Sequence, residues 1–135
     1  PDHRHSAPVG CDEESTRPLN SRITADVLRE GLFDTLQLAE VVSLVRAQLD
    51  ESSDRALRSA VAHLICEVVG RGWAVVGDAK PVEGVLHVVS WGRSPEETVR
   101  RILEEWRNLE RNPELGEICW LELTEAGRTV AEATQ

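Results

Sequence analysis

The sequence predicts an α+β fold, mainly helical, with a small antiparallel sheet and an amphipathic helix inserted late in the chain. Three observations predict it. Apolar residues recur at helical spacing through three long stretches, the signature of amphipathic helices. Short β-favouring runs at residues 73–76, 85–91 and 118–123 are set apart by glycine, proline and polar turns. Ser94-Pro95-Glu96-Glu97 combines a capping serine, a proline suited to the first helical position and a glutamate able to close a capping box. A chain of 135 residues fits one domain that buries a core without staples.

Residues 1–20 mix Pro1, Pro8 and Pro18 with polar residues and show no period, so they are expected to form a flexible arm, with residues 21–135 as one domain. Ile23, Val27 and Leu28 mark a first helix that Gly31 would stop. Asp34 is a good N-cap for the second helix, with Gln37 three residues on, and Leu38, Val42, Val45 and Leu49 form its stripe, widened by Val41 and Leu44. Asp50-Glu51-Ser52-Ser53 reads as a turn. A third helix then carries Leu57, Val61, Leu64, Ile65 and Val68 and closes at Gly70 or Gly72. A strand over 73–76 should end at Gly77-Asp78, and a turn over 81–84 should lead to a second strand. After the Ser94 cap, Val99, Ile102, Leu103, Trp106 and Leu109 share one helical face until Asn112-Pro113 stops it. A third strand follows, and Thr124 caps a last helix from Glu125.

Leu64-Ile65 and Val68 leading into Gly72-Trp73-Ala74-Val75, with Trp120-Leu121-Glu122-Leu123-Thr124-Glu125-Ala126-Gly127-Arg128 later, resemble the two ends of a winged helix-turn-helix module. They match the close of a recognition helix running into a strand, and a return strand running into a last helix. The resemblance spans roughly residues 23–78 and 117–133, and it implies a winged-helix core in which the simple wing is replaced by a turn, a strand and a whole helix. The arrangement from Gly31-Leu32-Phe33-Asp34 to Gly127 is also similar to small bacterial proteins that include toxin-neutralising ones.

A winged helix implies DNA, and the third helix would then present Arg55, Arg58, Ser59, Ala62 and His63 outward, with Arg71 beyond its end. Charge argues against that use. The chain carries 24 acidic against 15 basic side chains, a formal net charge of −9, and a polyanion rewards the opposite balance. Residues 54–73 hold Arg55, Arg58 and Arg71 against Asp54 and Glu67, a net of 3 − 2 = +1. A homodimer would double that footprint. From Glu114 to the end, five glutamates face Arg128 alone, a net of 1 − 5 = −4. Glu114, Glu117 and Glu122 are therefore the expected contacts for a basic protein partner, whose encounter opposite charge would steer.

Other chemistry finds little support. Cys11, Cys66 and Cys119 are three and widely spaced, which reads as reduced thiols in the cytoplasm rather than a secreted disulfide framework. No apolar run approaches the roughly 20 residues that a membrane-spanning helix needs. His63, Cys66 and Glu67 lie at i, i+3 and i+4, with Cys119 or His87 as conceivable fourth ligands, but one close pair plus scattered singles is a poor zinc pattern. Pro1-Asp2-His3 offers a square-planar nitrogen set for copper(II) or nickel(II) only if Pro1 is the mature terminus. No nucleophile–base set or phosphate loop appears, and Glu96–Arg100 and Glu97–Arg101 read as ordinary i, i+4 pairs. The expected function is a small acidic, non-enzymatic partner-binding protein without metal or cofactor, an inhibitor or immunity-type protein being one concrete version. The alternative is a dimeric winged-helix DNA-binding regulator.

Overall fold

The computed structural model describes residues 18–49 and 53–134. Their elements follow in the order α1 (Pro18–Gly31), β1 (Leu36–Gln37), α2 (Leu38–Gln48), α3 (Asp54–Gly70), β2 (Ala74–Val82), β3 (Val85–Ser90), α4 (Pro95–Leu109), β4 (Trp120–Leu123) and α5 (Glu125–Ala133). The fold is α+β and mainly helical, with an antiparallel sheet of order β1-β4-β2-β3. Helix α1 starts inside the stretch read as an arm, because Pro18 fits a first helical turn, where its missing N–H costs nothing. The rest of that arm, the Pro1-Asp2-His3 set and most of the turn before Ser53 lie outside the described residues.

Asp34 does not cap α2. It accepts the Thr35 N–H at 2.7 Å within a turn, and Gln37 is the N-cap, its own N–H donating to Glu40 Oε1 at 2.8 Å. Leu36 and Gln37 are drawn out instead as β1, opposite Leu121 and Trp120. Two residues hold no periodicity, so only the partner strand makes them a strand. Ser53 caps α3 by accepting the Ala56 N–H at 3.0 Å, and Ser94 caps α4 with the reciprocal box to Glu97 that the sequence indicates.

Strand β2 does not stop at Gly77-Asp78 but runs to Val82, pairing with β3 from Gly77–Ser90 to Val82–Val85. Gly77 permits this because a Cβ there would overlap the Val89 carbonyl oxygen. Pro81 is tolerated because β4 covers β2 only over Ala74 to Gly77, leaving that side of β2 unpaired further along. The turn shrinks to Glu83 and Gly84, both at positive φ (52° and 83°), as tight two-residue hairpins require.

The core gathers Val27 and Leu28 of α1, Leu38, Val41 and Val45 of α2, and Leu57, Val61, Ile65 and Val68 of α3 against Leu36, Val76 and Leu121 of the sheet. Helix α4 adds Val99, Ile102 and Trp106, while Leu103 and Leu109 are only half-buried. Helix α5 lies on α1 and closes the domain. Its N-cap Thr124 accepts the Gly127 N–H at 3.0 Å and donates its hydroxyl to the Gly72 carbonyl at 2.6 Å. Gly127 sits so near Trp73 that a Cβ there would overlap the carbonyl oxygen, which accounts for glycine in this helical turn.

Candidate functional site

Helix α4 lies antiparallel along α3. Pro95, at its start, approaches Gly70 at the end of α3, and Arg107 and Arg111, near and just past its end, share a cleft with Arg55 and Arg58 in the first turns of α3. The cleft has a volume of about 690 Å³. Its floor is Ala62, Leu103 and Trp106, and the Trp106 indole N–H donates to Asn112 Oδ1 at 3.3 Å. Asp54 and Glu110 are its acidic residues and Ser59 and Asn112 its neutral polar ones.

Electrostatically the four cleft arginines divide into two kinds. Arg111 grips Glu117 with two bonds of 2.8 and 2.9 Å and lies 4.0 Å from Glu114. That grip, with the Glu114 N–H at 2.8 Å, lowers the Glu117 carboxyl to about 2 and raises Arg111 further. Arg55, Arg58 and Arg107 make no ion pair among the described residues.

Of the residues expected to meet DNA, Arg55, Arg58 and Ser59 come together on this cleft, whereas Ala62 is only 4% exposed because α4 covers it. Arg71 is at the other end of α3, roughly 24 Å away at 1.5 Å per residue, bonded to Glu67 at 3.3 Å and placed over the Trp73 ring at 5.2 Å. Sequence reasoning missed Arg107 and Arg111. Their i, i+4 spacing beside Asn112-Pro113 was the available signal, and it acquires meaning only once α4 is docked on α3.

The three glutamates expected to meet a partner do not act as one free patch. Glu117 is held by Arg111, and Glu122 accepts the Val88 N–H at 2.9 Å, whereas Glu114 is open, its side chain 73% exposed. The expected Glu97–Arg101 pair is replaced too. Glu97 serves the cap, and Arg101 bonds Glu105 at 2.9 Å and stacks 3.8 Å over Trp91, whose indole N–H reaches Asp78 Oδ1 at 3.3 Å. This chain of contacts ties the base of the β2–β3 hairpin to α4.

The hairpin is the second notable surface. Of six large apolar side chains exposed among the described residues, four are here: Val82, Val85, Leu86 and Val89, at 41 to 56%. Strand β3 bears no formally charged residue.

The cysteines divide. Cys119 is a buried free thiol, and burial pushes its pKa far up, so it is no nucleophile. Cys66 is disulfide-bonded, contrary to the expectation of reduced thiols. That removes its thiolate from any metal set with His63 and Glu67. Glu67 meanwhile accepts the buried Thr24 hydroxyl at 2.7 Å. Among the described residues no three His, Cys, Asp or Glu side chains converge as a metal site, and no helix is long and apolar enough to cross a membrane.

Cleft and hairpin are carried by an α+β scaffold. No protein-family model, curated protein or solved structure matches the chain.

Proposed function

We propose that the chain is a small, acidic, non-enzymatic partner-binding protein on a winged-helix-like core, and that it meets a basic protein through the β2–β3 hairpin. The order of elements supports the core reading: a short strand between the first two helices, a third helix running into a strand, and a return strand paired between the two. In that reading the hairpin stands where a wing would.

The observation that carries partner binding is the concentration of exposed Val82, Val85, Leu86 and Val89 on one hairpin, whose β3 strand bears no formal charge. Exposed apolar side chains gathered on one element mark protein contacts, and hairpin side chains held by the Trp91–Arg101 stack are presented without a large ordering cost. The net charge of −9 supplies attraction toward a basic partner, an inhibitor or immunity-type role included. DNA binding by α3 is disfavoured because α4 stands beside it and covers Ala62. The cytoplasm is the compartment this reading expects.

The test is cross-linked affinity capture followed by kinetics on the purified partner. The reading expects one basic protein, bound faster at low salt and lost on a Val85→Ser, Val89→Ser double variant that keeps its melting temperature. A partner retained by that variant would sink the hairpin reading. A nanomolar duplex DNA complex at physiological salt, lost on Arg55→Ala and Arg58→Ala, would sink the whole proposal in favour of a DNA-binding regulator.

A further inference from the structure

We propose that the cleft between α3 and α4 is a binding site for a small phosphorylated ligand, held by Arg55, Arg58 and Arg107. The inference is independent of the hairpin and its partner. Two observations and one physical argument carry it. In a chain of net charge −9 the cleft gathers four arginines against two carboxylates, a lining of 4 − 2 = +2. Among the described residues Arg55, Arg58 and Arg107 make no ion pair, as is true of Arg22, Arg46, Lys80, Arg93, Arg100 and Arg128 elsewhere, so the cleft is marked by the convergence of its guanidiniums on one lining rather than by their lack of partners. Unpaired guanidiniums brought together repel one another, and a bound anion removes that repulsion.

Shape narrows the ligand. A volume of about 690 Å³ lies within the roughly 300–1,000 Å³ of small-molecule sites. A phosphoryl group offers several oxygen acceptors to guanidinium forks arriving from two helices, whereas a lone carboxylate accommodates one fork well. Ser59 and Asn112 add polar groups that suit the remainder of a phosphorylated small molecule. The Trp106 floor, fastened by Asn112, keeps the two walls in place.

Isothermal titration of the full chain with sodium pyrophosphate, at low and at physiological salt, tests this. Saturable one-to-one binding is expected, weaker at higher salt, and reduced about tenfold or more by Arg58→Gln or Arg107→Gln, as charge-assisted bonds require. Arg128→Gln, on α5 and outside the cleft, should leave it unchanged, as should Val85→Ser with Val89→Ser. Circular dichroism melting verifies that the exposed-arginine variants stay folded. Three outcomes overturn the proposal: no heat at millimolar pyrophosphate, affinity indifferent to Arg58 and Arg107, or an arginine-dependent complex with oligothymidylate or oligoglutamate that pyrophosphate does not displace. The last would reassign the cleft to a single strand or an acidic peptide.

Discussion

Gly127→Ala sets two effects of opposite sign against each other, and the structure decides between them. Alanine is favoured over glycine in a helix by about 1 kcal/mol, so α5 taken alone should gain. In the folded protein the new Cβ would lie 2.8 Å from the Trp73 carbonyl carbon and overlap its oxygen. The carbonyl cannot retreat freely, because it accepts the Thr124 N–H at 2.9 Å, and Thr124 is pinned again through its hydroxyl to Gly72. Overpacking of this kind costs about 1–3 kcal/mol or more. The upper part of that range outweighs the helical gain, so a net loss of about 1–2 kcal/mol is expected, a drop of roughly 4–10 °C in Tm for a domain of this size. Urea denaturation followed by circular dichroism measures it. Ala126→Gly, at an exposed neighbour in the same turn, isolates propensity and should cost about 1 kcal/mol. A Gly127→Ala protein melting at or above the wild type would refute the close approach of α5 to Trp73.

Trp106→Ala should destabilise by about 3–5 kcal/mol, since the side chain is 2% exposed and anchors α4, while Trp106→Phe should lose less; an unchanged urea midpoint for the alanine variant would take α4 out of the core. Glu83→Asn should raise stability by up to ~1 kcal/mol, because Glu83 holds φ at 52° in a turn that favours asparagine; a lower midpoint would mean that the turn is not of this type. Glu117 should titrate near 2 by carboxyl NMR, and Arg111→Gln should bring it up toward 4.5. Its folded value is depressed, so the contribution of the Arg111 pair is whole above about 4.5 and fades as pH falls toward 2; a wild-type midpoint near 4.5 would exclude the pair in solution. Cys119 should resist iodoacetamide at neutral pH until the protein unfolds, and rapid labelling of the native chain would contradict its burial.

The legible parts of the fold were those whose signal is local. The Ser94 box, the Thr124 cap and the stripes of α2, α3 and α4 sit where side-chain chemistry and spacing put them. The Asp34 cap and the short β2 were misplaced for one common reason. Each was decided by a distant strand: β4 draws out Leu36 and Gln37, and β3 carries β2 past Gly77. Tertiary pairing overrides turn chemistry there. The same holds for the site. Arg55, Arg58 and Ser59 were legible as an outward face, but the partners that turn a face into a cleft come from α4, about fifty residues later in the chain. Glu117 and Glu122 looked free because their bonds, to Arg111 and to the Val88 N–H, have no sequence signature.

The segment between β2 and β4 also explains why one scaffold carries an arginine-lined cleft and an apolar hairpin. Strand β3 has to reach β2 and the chain has to return to β4, between β1 and β2, so α4 must cross from one side of the sheet arrangement to the other. It docks on α3 through Val99, Ile102 and Trp106, which is what apolar residues on one face require. That docking leaves the α3 arginines beside those of α4, and it leaves Arg101 free to stack on Trp91 and hold the hairpin out. Cleft and hairpin thus both rest on one helix, with Trp106 under the first and Arg101 at the foot of the second. Weakening the stack with Arg101→Gln should loosen the hairpin while the cleft keeps its anion affinity, and hydrogen exchange of β3 amides against pyrophosphate titration separates the two. Faster exchange with unchanged affinity is the expected result, and loss of both together would mean that α4 undocks as a unit.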